Sequence, residues 1–408
     1  MNRRICVLTV GLVAWAAAMT AVAAELEKKP LKVFILAGQS NMQGHAHVRT
    51  IDAMRLNRNT APLLQEMRNP DGTPRVCEHV WISSLGSADD ERTGRLTVGF
   101  GAAARGPKIG PEFTFGITME KLLEEPILII KTAWGGKSLN TDFRPPGAEP
   151  YEFNAAQLDR FRQQNKDIDQ IKAEKAEATG RYYRLMIEHV RHVLADIKRV
   201  DPEYDERGGY ELAGFVWFQG WNDMVDRGTY PHRDQPGGYD QYAQLMAQFI
   251  RDVRKDLGTP GLPFVIGVMG VGGPTDKYGP SQQRYKAVHQ NFRDAMAAPA
   301  ALPEFQGNVA VVLTENYWDL EVAALRERER SLKPKRDDVA AAIKAGTMKR
   351  EEGQAVIDEL YASNFDEREL ELLKTSTSNA EYHYLGSAGI MAQIGKGFAE
   401  ALAAMVQE

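Results

Sequence analysis

The sequence predicts an α/β fold built on a parallel central sheet, and two observations support this prediction. Short apolar segments alternate along the chain with longer segments whose apolar residues recur at helical spacing. The short segments are apolar throughout rather than at every second position, which is typical of strands covered by helices on both faces. A chain of 408 residues is long enough to bury the core of such a domain.

The first 24 residues have the pattern of a secretory signal peptide. Arg3 and Arg4 precede an apolar run over residues 5–18, and small residues suited to cleavage follow at 21–24. The run is short of the roughly 20 residues that a membrane span needs, which disfavours a retained anchor. We therefore expect a periplasmic or secreted protein whose mature part, residues 25–408, forms a single domain with no membrane segment.

Composition and cysteine content argue against several classes of protein. Acidic and basic residues nearly balance, 55 against 50, and the formal net charge of -5 gives no indication of nucleic acid or an anionic membrane as a partner. Cys6 would leave with the signal peptide, so that Cys77 could form neither an internal disulfide nor a thiolate metal cluster. We interpret Cys77 as a small core residue, and we expect no metal or other cofactor.

Five short apolar segments are the predicted strands of the sheet. They are residues 32–36, 127–131, 212–218, 264–269 and 309–313. Segments with apolar residues at helical spacing are the predicted helices, namely residues 182–197, 239–257, 282–297 and 388–406. Strands and helices that follow one another in this way favour parallel pairing of the strands.

Two charged segments resemble additions to this core. The longer one, residues 320–373, contains the run Arg-Glu-Arg-Glu-Arg at 326–330 and a turn signal at Ala345-Gly346. A shorter segment of the same character covers residues 154–178. Both predict exposed helices inserted into the single domain, with a partner-binding arm as the alternative.

One predicted strand runs directly into a polar turn. The segment VFILAGQSNMQG, residues 33–44, opens as a buried strand, breaks at two small residues and then delivers Gln39, Ser40 and Asn41. Ligands of open α/β sheets bind at the carboxyl ends of the strands, which makes Ser40 a candidate nucleophile. The alternative is that Ser40 only caps the following helix, because serine is a common N-cap.

A serine nucleophile needs a base that removes its proton and donors that stabilise the oxyanion. The turn after the strand at 127–131 contains Gly135 and Gly136, which allow a backbone N–H to approach a ligand closely. An ordinary strand-to-helix turn is the alternative there. Of the eight histidines, His383 has the best context for a base, since it lies in a loop just before the last predicted helix.

The turn after the strand at 212–218 carries a dense set of polar groups, Gln219-Gly220-Trp221-Asn222-Asp223. The amide of Asn222 can donate to an oxyanion, and Asp223 or Gln219 can orient a neighbouring side chain. Capping of a helix is the alternative role for Asn222 and Asp223.

Together these motifs resemble those of the SGNH hydrolases. In chain order the matching blocks are Gly38-Gln39-Ser40-Asn41-Met42, Trp134-Gly135-Gly136-Lys137-Ser138, Trp217-Phe218-Gln219-Gly220-Trp221-Asn222-Asp223, and His383 before a closing helix. The chain is most similar to the sialate O-acetylesterase and acetyl-xylan esterase branch, carbohydrate esterase family six. The resemblance implies a three-layer α/β/α sandwich around a parallel sheet, of SGNH or flavodoxin-like type, and removal of acetyl groups from sugars without a metal.

The resemblance also implies roles for individual residues. Ser40 matches the family nucleophile, and its own N–H would be one oxyanion donor. Gly136 and Asn222 match the residues that give the second and third donors, and His383 matches the general base. The residues that we interpret as substrate-binding are Gln39, Gln219, Trp134 and Trp221.

The acid of the expected triad is missing from its usual places. The family usually has an Asp three residues before the catalytic His, where this chain has Ala380. Related esterases often have a Glu after the Gln-Gly pair, where this chain has Trp221. Asp223 and Glu381 are nearby acids that can substitute, with Asp223 preferred, and a Ser–His dyad oriented by a backbone carbonyl is the third alternative. The acid normally fixes the His tautomer and stabilises the imidazolium.

We therefore predict an exported serine esterase that removes O-acetyl groups from carbohydrates of the sialic acid or acetyl-xylan type. One alternative is a carbohydrate-binding protein on the same fold that has lost catalysis, which the empty acid positions favour. The other is an SGNH esterase that acts on non-sugar esters. Candidate sugar platforms are Trp134, Trp217, Trp221 and Trp318, with core packing favoured for Trp217.

Overall fold

The structure is a computed structural model that describes residues 29–86 and 90–406. The predicted signal peptide, residues 1–24, lies outside the described residues. The strands are β1 (Leu31–Gly38), β2 (Ala46–His47), β3 (Val80–Gly86), β4 (Arg92–Arg95), β5 (Lys108–Ile109), β6 (Ile127–Ala133), β7 (Tyr210–Phe218), β8 (Phe264–Val268) and β9 (Val309–Leu313).

The α-helices alternate with these strands over most of the chain. They are α1 (Ser40–Gln43), α2 (Ala61–Glu66), α3 (Glu112–Leu122), α4 (Ala155–Gln163), α5 (Ile168–Ala178), α6 (Arg181–Ala195), α7 (Trp221–Val225), α8 (Asp240–Asp256), α9 (Lys286–Ala297), α10 (Leu320–Ser331), α11 (Lys333–Lys344), α12 (Arg350–Ala362), α13 (Glu367–Thr375) and α14 (Ala388–Val406). Short 3₁₀ helices cover Val48–Thr50, Asp52–Leu56, Ile197–Arg199, Thr275–Lys277, Gln283–Tyr285, Ala298–Ala301, Pro303–Phe305, Thr314–Tyr317 and Glu381–Gly386.

Seven strands form the central sheet, in the order β4-β3-β6-β1-β7-β8-β9. All neighbouring pairs are parallel except β3 and β4. The five predicted strands are all present, and the predicted parallel sheet is confirmed for its larger part. In the middle, every side chain of β1 from Val33 to Ala37 is fully buried, which explains why this segment is apolar throughout.

The edge formed by β3 and β4 was not predicted. Ser83 and Ser84 interrupt the apolar run of β3, and β4 is the polar sequence Arg-Thr-Gly-Arg. Because β4 has a partner on one side only, it does not need the apolar composition of a covered strand. A separate two-stranded sheet pairs β2 with β5 and lies outside the main sheet.

Helices cover both faces of the sheet. On one face α3 and α14 pack together, and Phe115 of α3 meets Phe34 of β1 with ring centroids 5.5 Å apart. On the other face Phe249 of α8 lies 4.3 Å from the Trp217 ring of β7 and 5.6 Å from Tyr183 of α6. The three-layer α/β/α sandwich is therefore confirmed, and Trp217 is a core residue as favoured.

The two charged segments form helices at the surface, as predicted. The longer one contains α10 to α13, and the expected turn follows α11, where Gly346 has a φ of 72°. The shorter one contains α4 and α5, neither of which has a buried residue. Ion pairs such as Arg328–Glu369, at 2.5 Å, hold α10 against α13.

Candidate active site

Three central strands end at the same level, and this brings the polar turns together. Gly38 at the end of β1 is in register with Ala133 of β6 on one side and with Phe218 of β7 on the other. The turns that follow these residues therefore meet above the middle of the sheet, at the edge where open α/β sheets bind ligands.

Ser40 is the first residue of α1, and its side chain does not cap the helix. The N-cap position belongs to Gln39, which also makes no side-chain capping bond. Only 6% of the Ser40 surface is exposed, and its hydroxyl lies 3.4 Å from Gln39 Nε2. The structure therefore does not support the alternative in which Ser40 only caps the helix.

The hydrogen bonds of Gln39 determine how Asn222 is oriented. Gln39 Oε1 accepts from the backbone N–H of Gly220 at 3.0 Å and from the side-chain amide of Gln219 at 3.3 Å, so the oxygen must occupy this position. Gln39 Nε2 therefore points the other way and donates to Asn222 Oδ1 at 3.1 Å. With its oxygen engaged, Asn222 leaves its Nδ2 hydrogens for the cavity that it lines.

Three N–H donors belong to residues that line the same cavity as the Ser40 hydroxyl. They are the backbone N–H of Ser40, the backbone N–H of Gly136, whose φ is 75°, and Nδ2 of Asn222. Within residues 29–86 and 90–406, none of the three donates to a protein acceptor. An oxyanion hole requires unpaired donors beside the nucleophile, and these three groups are candidates for that role.

A buried ion pair supports α1 from below. Lys131 Nζ, on β6, lies 2.7 Å from Glu112 Oε2, and both side chains are almost completely buried. The same ammonium donates to the carbonyl of Gln43 at 2.9 Å, at the end of α1. Burial lowers the pKa of Lys131, while Glu112 opposes this shift. The pair thus holds the end of the helix that begins with Ser40.

His383 lies in the 3₁₀ segment before α14 and faces the cavity that contains Ser40. Its Nδ1 is 3.2 Å from Asn379 Oδ1. No hydrogen bond joins His383 to Ser40 or to a carboxylate in the described part of the chain. Without substrate, catalytic hydrogen bonds are often long or poorly aligned, so the shared cavity is the relevant observation.

Aromatic rings enclose the His383 imidazole. His45 stacks on it with a centroid distance of 3.9 Å and an interplanar angle of 3°. The ring of Tyr382 meets it edge-on at 4.5 Å, and Trp221 lies 5.7 Å from Tyr382. Trp221 and Tyr382 both line the cavity, and Tyr382 is 43% exposed, so this pair forms its rim.

The backbone after His383 is held in an unfavourable conformation. Tyr384 (φ 50°) and Leu385 (φ 61°) both adopt the left-handed region, which costs roughly 1–2 kcal/mol for each non-glycine residue. The Tyr384 hydroxyl accepts from the Gly270 N–H at 2.8 Å and is 2.6 Å from Thr314 Oγ1. These buried bonds fix the loop that carries His383.

Both stacked histidines are held in the neutral form. Burial lowers the pKa of His383 to about 4. Burial also lowers the pKa of His45 to about 3, with smaller contributions from His383, Lys108 and Lys131. A neutral imidazole is the form that can accept a proton, which the predicted role of His383 as a base requires.

The cavity has a volume of about 760 Å³, enough for a sugar ring with its ester. Its lining consists of Gln39, Ser40, Gln43, His45, Gly86, Asp90, Arg92, Ala102, Ala103, Ala104, Gly135, Gly136, Trp221, Asn222, Tyr382 and His383. Among the described residues, no group of three or more His, Cys, Asp or Glu side chains is arranged to hold a metal ion.

Comparison with known proteins identifies the family. The family model described as "Carbohydrate esterase, sialic acid-specific acetylesterase" matches residues 30–302, which include Ser40, Gly136 and Asn222. The chain belongs to this family. The family resemblance expected from the motifs is thereby confirmed, and the protein is a carboxylic ester hydrolase by family.

Solved structures with similarity to this esterase share little sequence with it. A protein from Arabidopsis thaliana has 16% identity and a TM-score of 0.38, with 70% of this chain and 86% of that chain covered. A carbohydrate acetylesterase from Xanthomonas citri has 14% identity and a TM-score of 0.36, with 69% and 49% covered. NanS has 13% identity and a TM-score of 0.36, with 70% and 78% covered. A search of curated protein sequences finds no match.

The sequence predicts a cleaved secretory leader and no membrane segment in the rest of the esterase. Among the helices of residues 29–86 and 90–406, none has the length and apolar character needed to cross a membrane.

The structure corrects the expected role of Asp223 in the esterase. Its carboxylate accepts from the backbone N–H groups of Leu139 at 2.8 Å and Asn140 at 3.0 Å, from Gln219 at 2.7 Å and from the Tyr230 hydroxyl at 3.3 Å. These bonds leave no contact with His383. Burial raises the pKa of Asp223 to about 6. Asp223 therefore organises the turn after Gly136 and does not serve as the acid of a triad.

Two expected substrate-binding residues of the esterase do not reach the cavity. Gln219 is 2% exposed and donates to Asp223 and to the Lys137 carbonyl at 3.0 Å. Trp134 is also 2% exposed and packs edge-on against Tyr182 at 5.3 Å. Trp134 lies one position before the glycines that line the cavity, and Gln219 lies two positions before Trp221, which also lines it.

Of the other residues discussed from the sequence of the esterase, two line the cavity and three lie outside it. Gln39 and Trp221 line the cavity, as their predicted role in substrate binding requires. Glu381 is exposed and pairs with Arg330 at 2.9 Å, so it is not the acid partner of His383. Cys77 is fully buried. Trp318 is 7% exposed and does not line the cavity.

Sequence reasoning missed three residues that surround His383 in the esterase. They are His45, Tyr382 and Asn379. His45 is brought there by Gly44, whose φ of 92° and close approach to Gly110 turn the chain back after α1. The available signal for Asn379 was its position four residues before His383, next to the place where the family has an Asp.

Proposed function

We propose that this esterase is an exported O-acetylesterase of carbohydrates, of the sialic acid or acetyl-xylan type, that uses a Ser–His mechanism. The observation that carries the proposal is that Ser40 and His383 line one cavity together with Gly136 and Asn222. A nucleophile, a neutral base and unpaired N–H donors are the groups that acyl transfer needs.

In the first half of the reaction, His383 Nε2 removes the proton from Ser40 Oγ as Oγ attacks the acetyl carbonyl. The carbonyl oxygen becomes an oxyanion and accepts hydrogen bonds from the N–H groups of Ser40 and Gly136 and from Asn222 Nδ2. The C–O bond to the sugar then breaks, and His383 gives its proton to the departing sugar oxygen. The product of this half is an acetyl ester on Ser40 and a free sugar hydroxyl.

In the second half, His383 removes a proton from a water molecule that attacks the acetyl ester. The same donors stabilise the second oxyanion. The bond between the acetyl carbon and Ser40 Oγ breaks, and His383 returns the proton to Oγ while acetic acid leaves and ionises to acetate in water. Ser40 and His383 end in their starting states, so no cofactor is consumed.

The rim of the cavity is suited to a sugar ring. Trp221 and Tyr382 lie side by side at its mouth, and the exposed Tyr382 ring offers an apolar face to the C–H groups of a pyranose. We propose that this pair holds the sugar while its acetyl group enters the oxyanion site. Gln39 acts indirectly, by orienting Asn222.

The export and domain organisation are part of the proposal. The pattern of residues 1–24 supports a cleaved leader and a mature single domain, residues 25–408, in the periplasm or outside the cell.

The experiment is a measurement of acetate release by the mature protein from O-acetylated sialic acid and from acetylated xylan. Wild type is compared with Ser40→Ala and His383→Ala. Both variants are expected to lose several orders of magnitude in kcat, as triad members do in serine hydrolases. Aryl esters with longer acyl chains are measured alongside, and a preference for them would instead favour an esterase of non-sugar substrates.

In the described part of the chain no carboxylate is hydrogen-bonded to His383, and this favours one alternative, a carbohydrate-binding protein that has lost catalysis. That alternative expects no acetate release from wild type. It also expects sugar binding, measured by calorimetry, that Ser40→Ala leaves unchanged. This pair of results would replace the proposed activity.

A further inference from the structure

We propose that Asn379 is the residue that orients His383 for proton transfer, through a neutral hydrogen bond where serine hydrolases normally use a carboxylate. This inference rests on the Ser–His mechanism proposed above. It assigns Asn379 a positioning role, because Asn379 acts through His383 and not on the substrate.

The orientation of the Asn379 amide follows from its second hydrogen bond. Asn379 Oδ1 accepts from the backbone N–H of Ala380 at 2.8 Å, so the oxygen and not the NH₂ group occupies this position. The same oxygen lies 3.2 Å from His383 Nδ1. An oxygen cannot donate, so Nδ1 must carry the hydrogen. The Nε2 lone pair is then available to accept the proton of Ser40.

The backbone around Asn379 keeps this geometry fixed. The N–H groups of Ser378 and Asn379 both donate to the Leu385 carbonyl, at 2.9 and 3.0 Å. The N–H groups of His383 and Leu385 both donate to the Ala380 carbonyl, at 3.0 and 3.1 Å. Asn379 and His383 are therefore tied together by a small closed loop, which the left-handed residues after His383 complete.

Other groups near His383, including Asp90 and Arg92 of the same cavity, make no hydrogen bond to its ring nitrogens in the described part of the chain. The ring of His45 covers one face, and the ring of Tyr382 meets the imidazole edge-on. Glu381, on the same loop, points to Arg330 at the surface, and Asp223 is engaged by four donors elsewhere. Among the described residues, Asn379 alone bonds to a ring nitrogen of His383.

A neutral partner has a chemical consequence that a carboxylate would not have. An amide oxygen fixes the tautomer but adds no negative charge to stabilise the imidazolium. His383 should therefore keep a low pKa, and the esterase should remain active in mildly acidic solution. A carboxylate at the same position would raise the pKa of His383 and move the acid limb of the pH profile upward.

The test compares Asn379→Ala and Asn379→Asp with wild type, by the pH dependence of kcat/KM for acetate release. We expect Asn379→Ala to lower kcat by about 10²-fold with KM nearly unchanged, less than the loss known for a triad carboxylate. We expect Asn379→Asp to retain activity and to shift the acid limb upward by about one pH unit or more. Asn69→Ala, which removes an exposed loop amide far from the cavity, is the matched control.

A direct measurement keeps the proposal falsifiable if Asn379→Ala folds poorly. ¹⁵N NMR of histidine-labelled wild type at pH 7, with His383→Gln used to assign the signal, reports which ring nitrogen carries the hydrogen. We expect the Nδ1–H tautomer for His383. The Nε2–H tautomer, or an Asn379→Ala variant with unchanged kcat and pH profile, would overturn the proposal.

Failure of this inference is distinct from failure of the proposed function. If Ser40→Ala and His383→Ala lose activity but Asn379→Ala does not, the mechanism stands and the role of Asn379 is wrong. If Glu381→Gln lowers kcat as much as Asn379→Ala, a carboxylate shares the role and the proposal of a neutral partner is overturned. If wild type releases no acetate, the proposed function itself fails.

Discussion

The His383 imidazole lies in a packed environment of aromatic rings, and this sets the pH range of the proposed reaction. Burial lowers its pKa to about 4, and a base must be neutral to accept a proton. We expect kcat/KM to be constant from neutral pH down to about pH 5 and to fall below about pH 4 as His383 becomes protonated. A pH profile with a stable acetyl ester measures this. An acid limb near 6.5 would show instead that His383 is solvated as in a free peptide.

The oxyanion donor that is easiest to remove singly is the side chain of Asn222. Asn222→Ala deletes the Nδ2 hydrogens and should lower kcat by about 10²–10³-fold, because the oxyanion forms only during the reaction. KM should change little. The Gln39 amide would lose one partner, so the melting temperature is measured as a control for folding. A rise in KM with unchanged kcat would contradict the assigned role.

At the scale of elements, the loop that carries His383 is held between the charged helices and the closing helix. Arg326 of α10 donates to Thr377 Oγ1 at 2.8 Å, and Arg330 pairs with Glu381. On the other side α14 begins directly after the loop and packs along α3. The charged segment thus contributes to the position of the proposed base, although most of its surface is exposed.

The contact between α14 and α3 depends on a glycine. A Cβ atom at Gly395 would lie 2.2 Å from the Pro111 carbonyl oxygen and 2.3 Å from Thr114 Oγ1. Gly395→Ala must therefore move the two helices apart and should reduce the free energy of unfolding by about 1–3 kcal/mol. Urea denaturation measures the effect. Gly261→Ala, where a Cβ meets no atom within 4 Å, is the control and should leave stability nearly unchanged.

At the scale of the whole molecule, stability should depend on pH through buried histidines. Burial lowers the pKa of His45, His189, His289 and His383 below 6.5, to values of about 3 to about 4. Between pH 6.5 and 4 the unfolded chain binds more protons, so the free energy of unfolding falls as pH falls. The almost fully buried His189 contributes at most about 1.4 kcal/mol per pH unit.

Burial raises the pKa of two carboxylates, Asp201 and Asp223, and both oppose this trend. The pKa of Asp223 is raised to about 6, so its contribution to stability is lost as pH rises from about 4 to 6. Because four histidines act against these two acids, we expect urea unfolding to give a lower free energy at pH 4.5 than at pH 7. An equal or higher value at pH 4.5 would contradict the burial of these histidines.

Much of the fold was predictable because helices cover both faces of the central strands of the sheet. Such strands are continuously apolar, as in β1 and β6, and the apolar spacing of α14 also located that helix at its observed bounds. The edge strand β4 was not predictable, because its sequence Arg-Thr-Gly-Arg has no apolar pattern. An exposed edge strand can form without one.

The site was predictable where residues follow strand ends and not where they meet by tertiary packing. Ser40 and Asn222 follow β1 and β7, whose ends are in register. Asn379 and His45 reach His383 only through the turn at Gly44 and the left-handed loop before α14. Trp134 was misassigned because a residue directly after a strand still belongs to the core, while the next glycines face the cavity.

The distance along the chain between Ser40 and His383 has a consequence for biosynthesis. The ribosome makes the serine near the beginning of the chain and the histidine near its end, just before α14. At roughly 5–20 residues per second, these two events are separated by tens of seconds. During that interval the nascent chain holds the proposed nucleophile without its proposed base. In the proposed mechanism, ester hydrolysis therefore requires the last part of the chain to be made and folded.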